Sequence, residues 1–238
     1  MAEWHPYNPR KSGNHYLIRF LSSSRLKEFL DTGIIWFSRA DDFGDKMECV
    51  SIKDLEAKTI DLKSLEVKKR KHLISCWHNC LNESIAMWDT SFKRKEDQRV
   101  YAIKFNYDDL IKSVKESSLP FESRDSNHKK YYGRIRYKNL LRDNLKGEKV
   151  RISAFRKEYS FHYENEFRFV IQQEFPFPNK GYNMKLGNPA TLKFKIMVNP
   201  LLEKNDYLGK LEFLKSHKIA SIKHQDSKLV KWLNPSKW

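Results

Sequence analysis

Apolar and polar positions along the chain alternate in short blocks whose periods name most of the elements. Tyr16–Leu21 is a strand-length apolar run, and Ser22, Ser23 and Ser24 supply N-cap candidates for an amphipathic helix over residues 25–31 that stops at Gly33. A second strand is predicted at 34–37 and an Asp- and Gly-rich loop at 41–46. Residues 53–71 carry Leu55, Leu62 and Leu65 amid many charges, the pattern of an exposed, one-sided helix. A buried strand follows at 72–77, a short helix or turn at 85–92, a strand at 100–105 and a helix at 107–114. Residues 115–133 read as a polar connection, 134–137 as a strand, and 140–153 as a basic helix. The stretch 161–173 is the strongest strand signal and 191–198 the next, followed by an amphipathic helix at 207–215 and a last strand at 219–222.

Strands and helices mix here without the long regularity of a doubly wound fold. An α+β fold is expected: a split or orthogonally packed mixed β-sheet with peripheral helices. Residues 1–13, with Pro6, Pro9 and Gly13, read as an N-terminal arm, and 14–238 as a single domain.

Composition supports a folded chain, because 39% hydrophobic and 13% aromatic residues exceed what disordered segments carry. Cys49, Cys76 and Cys80 cannot complete a disulfide framework and no signal pattern opens the chain, so a reducing cytoplasm is the expected setting. Apolar runs such as 34–37 are far shorter than the ~20 residues of a membrane helix, so no membrane association is expected.

Charge changes the picture most. The net charge is +16, and residues 124–157 alone hold twelve basic against three acidic side chains. Tyr131, Tyr132, Tyr137 and Phe155 interleave with them, and aromatic faces beside cations suit unstacked bases. Nucleic acid is the expected partner, RNA ahead of DNA, with Lys129, Lys130, Arg134 and Arg136 as candidate contacts.

Candidate chemistry concentrates in Tyr163-Glu164-Asn165-Glu166-Phe167-Arg168. On a strand, Glu164, Glu166 and Arg168 would project together, placing two carboxylates and a guanidinium on one surface. Such a pair suits proton transfer, or a shared Mg²⁺ with Asp45 in a nuclease, or a plain charged strand face. Cys76 and Cys80 near His72 and His78 lack the spacing of a zinc site, and no metal is expected. No P-loop, Gly-x-Gly-x-x-Gly or Gly-x-Ser-x-Gly motif occurs.

Five blocks in order carry a resemblance. They are Tyr16 to Arg19; Ile35-Trp36-Phe37-Ser38; Phe43-Gly44-Asp45-Lys46-Met47-Glu48; Ile74 to His78 with Met87-Trp88; and Tyr163 to Arg168. Together they resemble the bacterial family known as domain of unknown function 2971, from which Gly44, Lys46 and Asp89-Thr90-Ser91 depart. Their order is also similar to that of mono-ADP-ribosyltransferases of the arginine, serine, glutamate type, whose split sheet clamps NAD. This resemblance implies an NAD-dependent transferase in which Arg19 and Ser75 bind NAD, with Trp77, Trp88 or Tyr163 stacking on nicotinamide. Glu166 would bind the nicotinamide ribose, Glu164 would orient or deprotonate the acceptor, and Arg168 would tune the carboxylates or grip the acceptor phosphate. The implied role is a toxin or antiphage effector that ADP-ribosylates nucleic acid, restrained by an antitoxin or chaperone partner. A non-catalytic nucleic-acid-binding or sensing module, and a metal-dependent nuclease, are the alternatives.

Overall fold

A computed structural model describes residues 3–9, 15–56, 61–80, 83–89, 99–117, 128–140 and 152–233. It contains strands β1 (Trp4–Asn8), β2 (Tyr16–Leu21), β3 (Ile34–Arg39), β4 (His72–Cys80), β5 (Tyr101–Asn106), β6 (Lys129–Arg134), β7 (Arg136–Lys138), β8 (Arg156–Glu158), β9 (Glu166–Gln172), β10 (Gly181–Lys185) and β11 (Phe194–Val198). Helices are α1 (Ser23–Thr32), α2 (Ile52–Glu56), α3 (Leu62–Lys69), α4 (Ile85–Trp88), α5 (Tyr107–Glu116), α6 (Lys204–Ser216), α7 (Lys218–Lys223) and α8 (Lys228–Leu233). The architecture is mixed α+β, built on open and mostly antiparallel sheet. Among the described residues no helix is long and apolar enough to cross a membrane.

The chain divides into two compact units, and the division falls inside β3, β4 and β10. The first comprises Met1–Lys11, Ile35–Trp77 and Ser118–Met184. Its strands run β1-β6-β9-β4, with β3 pairing β4 and β10. β6 and β9 are antiparallel in the register Tyr131↔Val170, Gly133↔Arg168 and Arg134↔Phe167, and β1 joins β6 in parallel. Residues opposite each other share a face. Phe167 and Phe169 face one way, where Trp4 meets Phe169 edge-on; Arg168 and Val170 face the other, toward Ile74, Phe155 and Ile135. Gly133 has no side chain because one would collide with the Asn8 backbone, 2.6 Å from the ideal Cβ. That close approach is what admits β1 beside β6.

The second unit comprises Ser12–Ile34, His78–Ser117 and Lys185–Trp238. Here the order is β4-β2-β5-β11, all antiparallel, with Tyr16 across from Cys80 on one side and Asn106 on the other. α1 starts at Ser22, whose hydroxyl accepts from the Arg25 N–H, and ends at Gly33 in the left-handed conformation, φ 72°. Its apolar face, Leu26, Phe29 and Leu30, is buried, with Phe29 edge-on to Phe105 and Phe194.

Several expectations are corrected. The first residues are not an arm only, since Trp4–Asn8 forms an edge strand; an edge position tolerates Pro6 because no inward ladder bond needs its missing N–H. The expected connection 115–133 contains β6 from Lys129 onward. The strand expected at 161–173 begins at Glu166, after a 3₁₀ turn over Tyr159–Glu164. The strand expected at 219–222 is helix α7, whose Ala220 is buried while Ile222 is exposed. Most of the helix expected at 140–153 lies outside the described residues.

Candidate functional site

The Glu-x-Glu segment does form a cluster, but its geometry differs from a charged strand face. Asn165 takes a left-handed conformation, φ 38°, which its short polar side chain tolerates, and this corner separates Glu164 in the 3₁₀ turn from Glu166 in β9. Glu164 therefore does not project from the strand beside Glu166 and Arg168. Lys157, from β8, reunites the carboxylates: its Nζ donates to Glu164 Oε2 at 2.6 Å and lies 3.5 Å from Glu166 Oε2.

Arg168 sits at the centre, 0% exposed. It grips Glu48 with Nη1 at 2.6 Å and Nη2 at 2.9 Å, and Glu166 with Nε and Nη2, both at 3.0 Å. Nη1 also donates to the Ala154 carbonyl at 2.7 Å. All five guanidinium N–H groups are thereby used, so Arg168 has no donor left for an acceptor phosphate. Glu48 is held in place by a loop in which Met47 N–H donates to Asp45 Oδ1 and Lys69 Nζ to the Asp45 carbonyl. The next residue, Cys49, adopts φ 59°, a strained backbone for a residue other than Gly or Asn. Two-point pairing of Glu48 with a buried guanidinium offsets that strain.

Burial alone would raise the Glu166 pKa, but Arg168, Lys157 and a hydrogen bond from the Cys76 thiol outweigh it and bring it to about 2. Burial depresses the Lys157 ammonium less than Glu166 and Glu164 raise it, so it stays above its ordinary value. Glu164 moves the other way, pushed up by burial, with Glu166 adding and Lys157 opposing. The Glu166 backbone N–H donates to Tyr137 Oη at 2.7 Å. Burial raises the Cys76 thiol well above its usual range, so it is a proton donor here and no nucleophile. The space a cation shared by Glu164 and Glu166 would need is taken by the Lys157 ammonium, and the Asp45 carboxylate caps its own loop. Among the described residues no group of three His, Cys, Asp or Glu could hold a metal ion.

Ser75, assigned to NAD binding by resemblance, is fully buried and its Oγ accepts from Trp77 Nε1 at 3.1 Å. Cys76 turns toward Glu166, so by strand alternation Ser75 points to the opposite face of the sheet. Arg19 and Trp88 belong to the second unit, where Trp88 is buried and meets Phe20 edge-on at 4.7 Å. Tyr163 is 47% exposed.

The basic segment also divides. Lys130 is buried beside the Trp4 ring, Arg156 is buried and donates to the Val50 carbonyl, and Lys157 belongs to the cluster. Lys129 is exposed, but β6 turns it to the face opposite Lys130 and Arg134. Tyr132 and Phe155 are core residues. Arg136 and Lys138 remain half-buried on β7, on the side away from Tyr137.

Sequence reasoning missed the aromatic turn that follows β8. Tyr159 is 56% exposed and stacks on His162 at 4.7 Å with planes 10° apart; Tyr163 is exposed as well, and Phe161 carries the Lys157 ammonium over its ring. β7, with Arg136 and Lys138, packs on this turn. The signal was the spacing Tyr159, Phe161, His162, Tyr163, hidden inside a stretch that reads as strand. Glu48 was missed as a site residue because its partner lies 120 positions away. Compared with family models, with curated proteins and with solved structures, the chain matches none.

Proposed function

We propose that this protein binds single-stranded nucleic acid through the aromatic turn Tyr159–Glu164 of its first unit. The carrying observation is a pair of exposed tyrosines, Tyr159 and Tyr163, on a turn against which β7, the strand that holds Arg136 and Lys138, packs. Exposed rings next to cations provide sequence-tolerant stacking, about 1–3 kcal/mol per base, and the net charge of +16 supplies attraction to phosphates. RNA is the preferred ligand.

The alternative, ADP-ribosyl transfer on a split, NAD-clamping sheet, rests on the motif order. Its chemistry needs Glu166 directed at a ribose hydroxyl, and that carboxylate is already engaged by Arg168, Lys157 and Cys76. Ser75 on the opposite face weighs against it further, so binding is put ahead of catalysis.

Fluorescence anisotropy with labelled single-stranded RNA and DNA tests the proposal. Affinity should fall steeply with salt, and Tyr159→Ala with Tyr163→Ala should weaken it about tenfold or more while leaving the melting temperature close to wild type. Unchanged affinity in the double variant would refute the assignment of the turn. Transfer of label from NAD to RNA, DNA or protein would establish the enzyme instead.

A further inference from the structure

The second unit contains a cavity of about 450 Å³ that the turn of the first unit does not explain. Its size falls within the range of small-molecule sites, about 300–1,000 Å³. It is walled by β2, β5, β11 and α7, and four lysines reach it: Lys104, Lys193, Lys195 and Lys223. Among the described residues Asp109 is the one carboxylate in its lining, which Tyr16, Asn106, Ile222 and Gln225 also form.

The register makes this concentration of charge unfavourable by itself. Lys104 and Lys195 stand directly opposite each other on antiparallel β5 and β11, where like charges repel. Lys193, one residue before β11, lines the same cavity. The Lys104 ammonium is half-buried, 4.0 Å over the Tyr16 ring, and burial lowers its pKa. Glu83 also acts on Lys104, but that carboxylate is already used by Trp88 Nε1, Ser227 Oγ and the Lys228 N–H. Lys223 donates to the Leu192 carbonyl and lies over the Phe194 ring. Lysines converging in this way on one cavity are relieved by an anion with several oxygens. The remaining walls are apolar and amide: Tyr16, the exposed Ile222, and the side chains of Asn106 and Gln225.

We infer that this cavity binds a nucleoside phosphate, with its phosphates against Lys104, Lys193 and Lys195 and its base between Tyr16 and Ile222. The Gln225 amide, and the Asn106 Nδ2, whose partner Oδ1 caps α5, stand where a base edge would present acceptors and donors. The inference uses second-unit residues only and stands whether or not the aromatic turn binds nucleic acid.

Calorimetric titration of the full chain with ADP, adenosine, inorganic pyrophosphate, and an oligonucleotide with and without a 5′-phosphate tests it. ADP should bind, adenosine should not, and pyrophosphate should bind more weakly than ADP. Lys195→Ala and Lys104→Met should each weaken ADP about tenfold, and Tyr16→Leu should weaken ADP while leaving pyrophosphate unchanged. If Lys104→Met melts early, the exposed Lys195→Ala and Lys193→Ala decide alone. Preference for the 5′-phosphorylated oligonucleotide over ADP assigns the same phosphate chemistry to a strand end. Absence of ADP and 5′-phosphate binding, or affinity unchanged in Lys195→Ala and Lys193→Ala, overturns the inference. Tyr159→Ala with Tyr163→Ala should leave ADP binding intact, which separates failure here from failure of the nucleic-acid reading.

Discussion

Replacing Arg168 by Met tests the reading of the charge cluster most directly. Methionine fills much of the same space but leaves Glu48, 1% exposed, and Glu166, 6% exposed, without their shared cation. Removing one partner from a buried ion pair costs about 3–5 kcal/mol, because an uncompensated charge stays in a low-dielectric interior. Against a typical total of about 5–15 kcal/mol, the variant should fold with little margin. With a urea dependence of about 2 kcal/mol per molar, its midpoint should fall by roughly 2 M at pH 7.5. The pH dependence carries a sharper signature. In the native protein the Glu166 pKa is about 2, below its ordinary 4.5, so its contribution is complete above pH 4.5 and is lost as pH falls toward 2. Without Arg168, Glu166 loses the first of the cations that hold its pKa down, burial gains weight against Lys157, and its folded pKa should rise past its ordinary value. The deficit of the variant relative to wild type should therefore shrink as pH is lowered from 7 to 5. The cost of keeping His72 neutral falls on both proteins and largely cancels, and relief of its repulsion by Arg168 acts in the same direction. A triple variant, Glu48→Gln, Glu166→Gln and Arg168→Met, carries none of these charges and should recover much of the loss. A midpoint shift below about 0.5 M, or a deficit that grows on acidification, would refute the reasoning.

Other consequences follow from single contacts. His72 is buried with Nδ1 on the Lys68 carbonyl, and its pKa is lowered to about 4 by burial first, with Lys71 and Arg168 adding. Since that is a depressed value for a base, its neutral form favours folding, and stability should decline as pH falls from about 6.5 to 4; His72→Phe should flatten that interval of a urea-midpoint profile. Asp61 caps α3 by accepting from the Lys63 and Ser64 N–H groups, so Asp61→Ala should cost about 1 kcal/mol in chemical denaturation. Gly133→Ala drives a methyl into the Asn8 backbone and should lose about 1–3 kcal/mol, with hydrogen exchange accelerated in β1.

Local signals found most elements of the second unit. β2, α1, β5 and α5 were legible because each carries its own period and cap, such as Asn106 accepting from the Asp108 N–H. Elements that exist only through pairing were not. Lys129-Lys130-Tyr131-Tyr132 has the composition of a solvated connection, and only β9 on one side and β1 on the other turn it into a strand. Helix α7 was missed for the opposite reason: residues 219–222 are apolar enough for either state, and the four-residue window cannot separate the periods. At the charge cluster, Glu164, Glu166 and Arg168 were legible as a group. Their relation was not, because Asn165 breaks the alternation and Lys157 and Glu48 arrive from elsewhere in the chain.

The cluster also governs how any loss of function at Glu166 must be interpreted. Removing that carboxylate leaves Arg168 with Glu48 alone and Lys157 with Glu164 alone, so the variant is damaged as a folded protein before any chemistry is considered. A vanished activity in Glu166→Ala would thus look the same for a catalytic residue and for a structural one. The two roles separate in the pH profile. A carboxylate that stabilises positive charge on a ribose must be ionised in use, and with its pKa held at about 2 it is ionised throughout the neutral range. A rate limited by it would then be flat from pH 5 to 8, whereas a rate limited by Glu164, raised by burial, would climb with pH through a value above 4.5. Surface groups such as Tyr159, Tyr163 and Lys195 carry no such structural debt. Binding lost on their replacement, at unchanged stability, reports on the ligand itself.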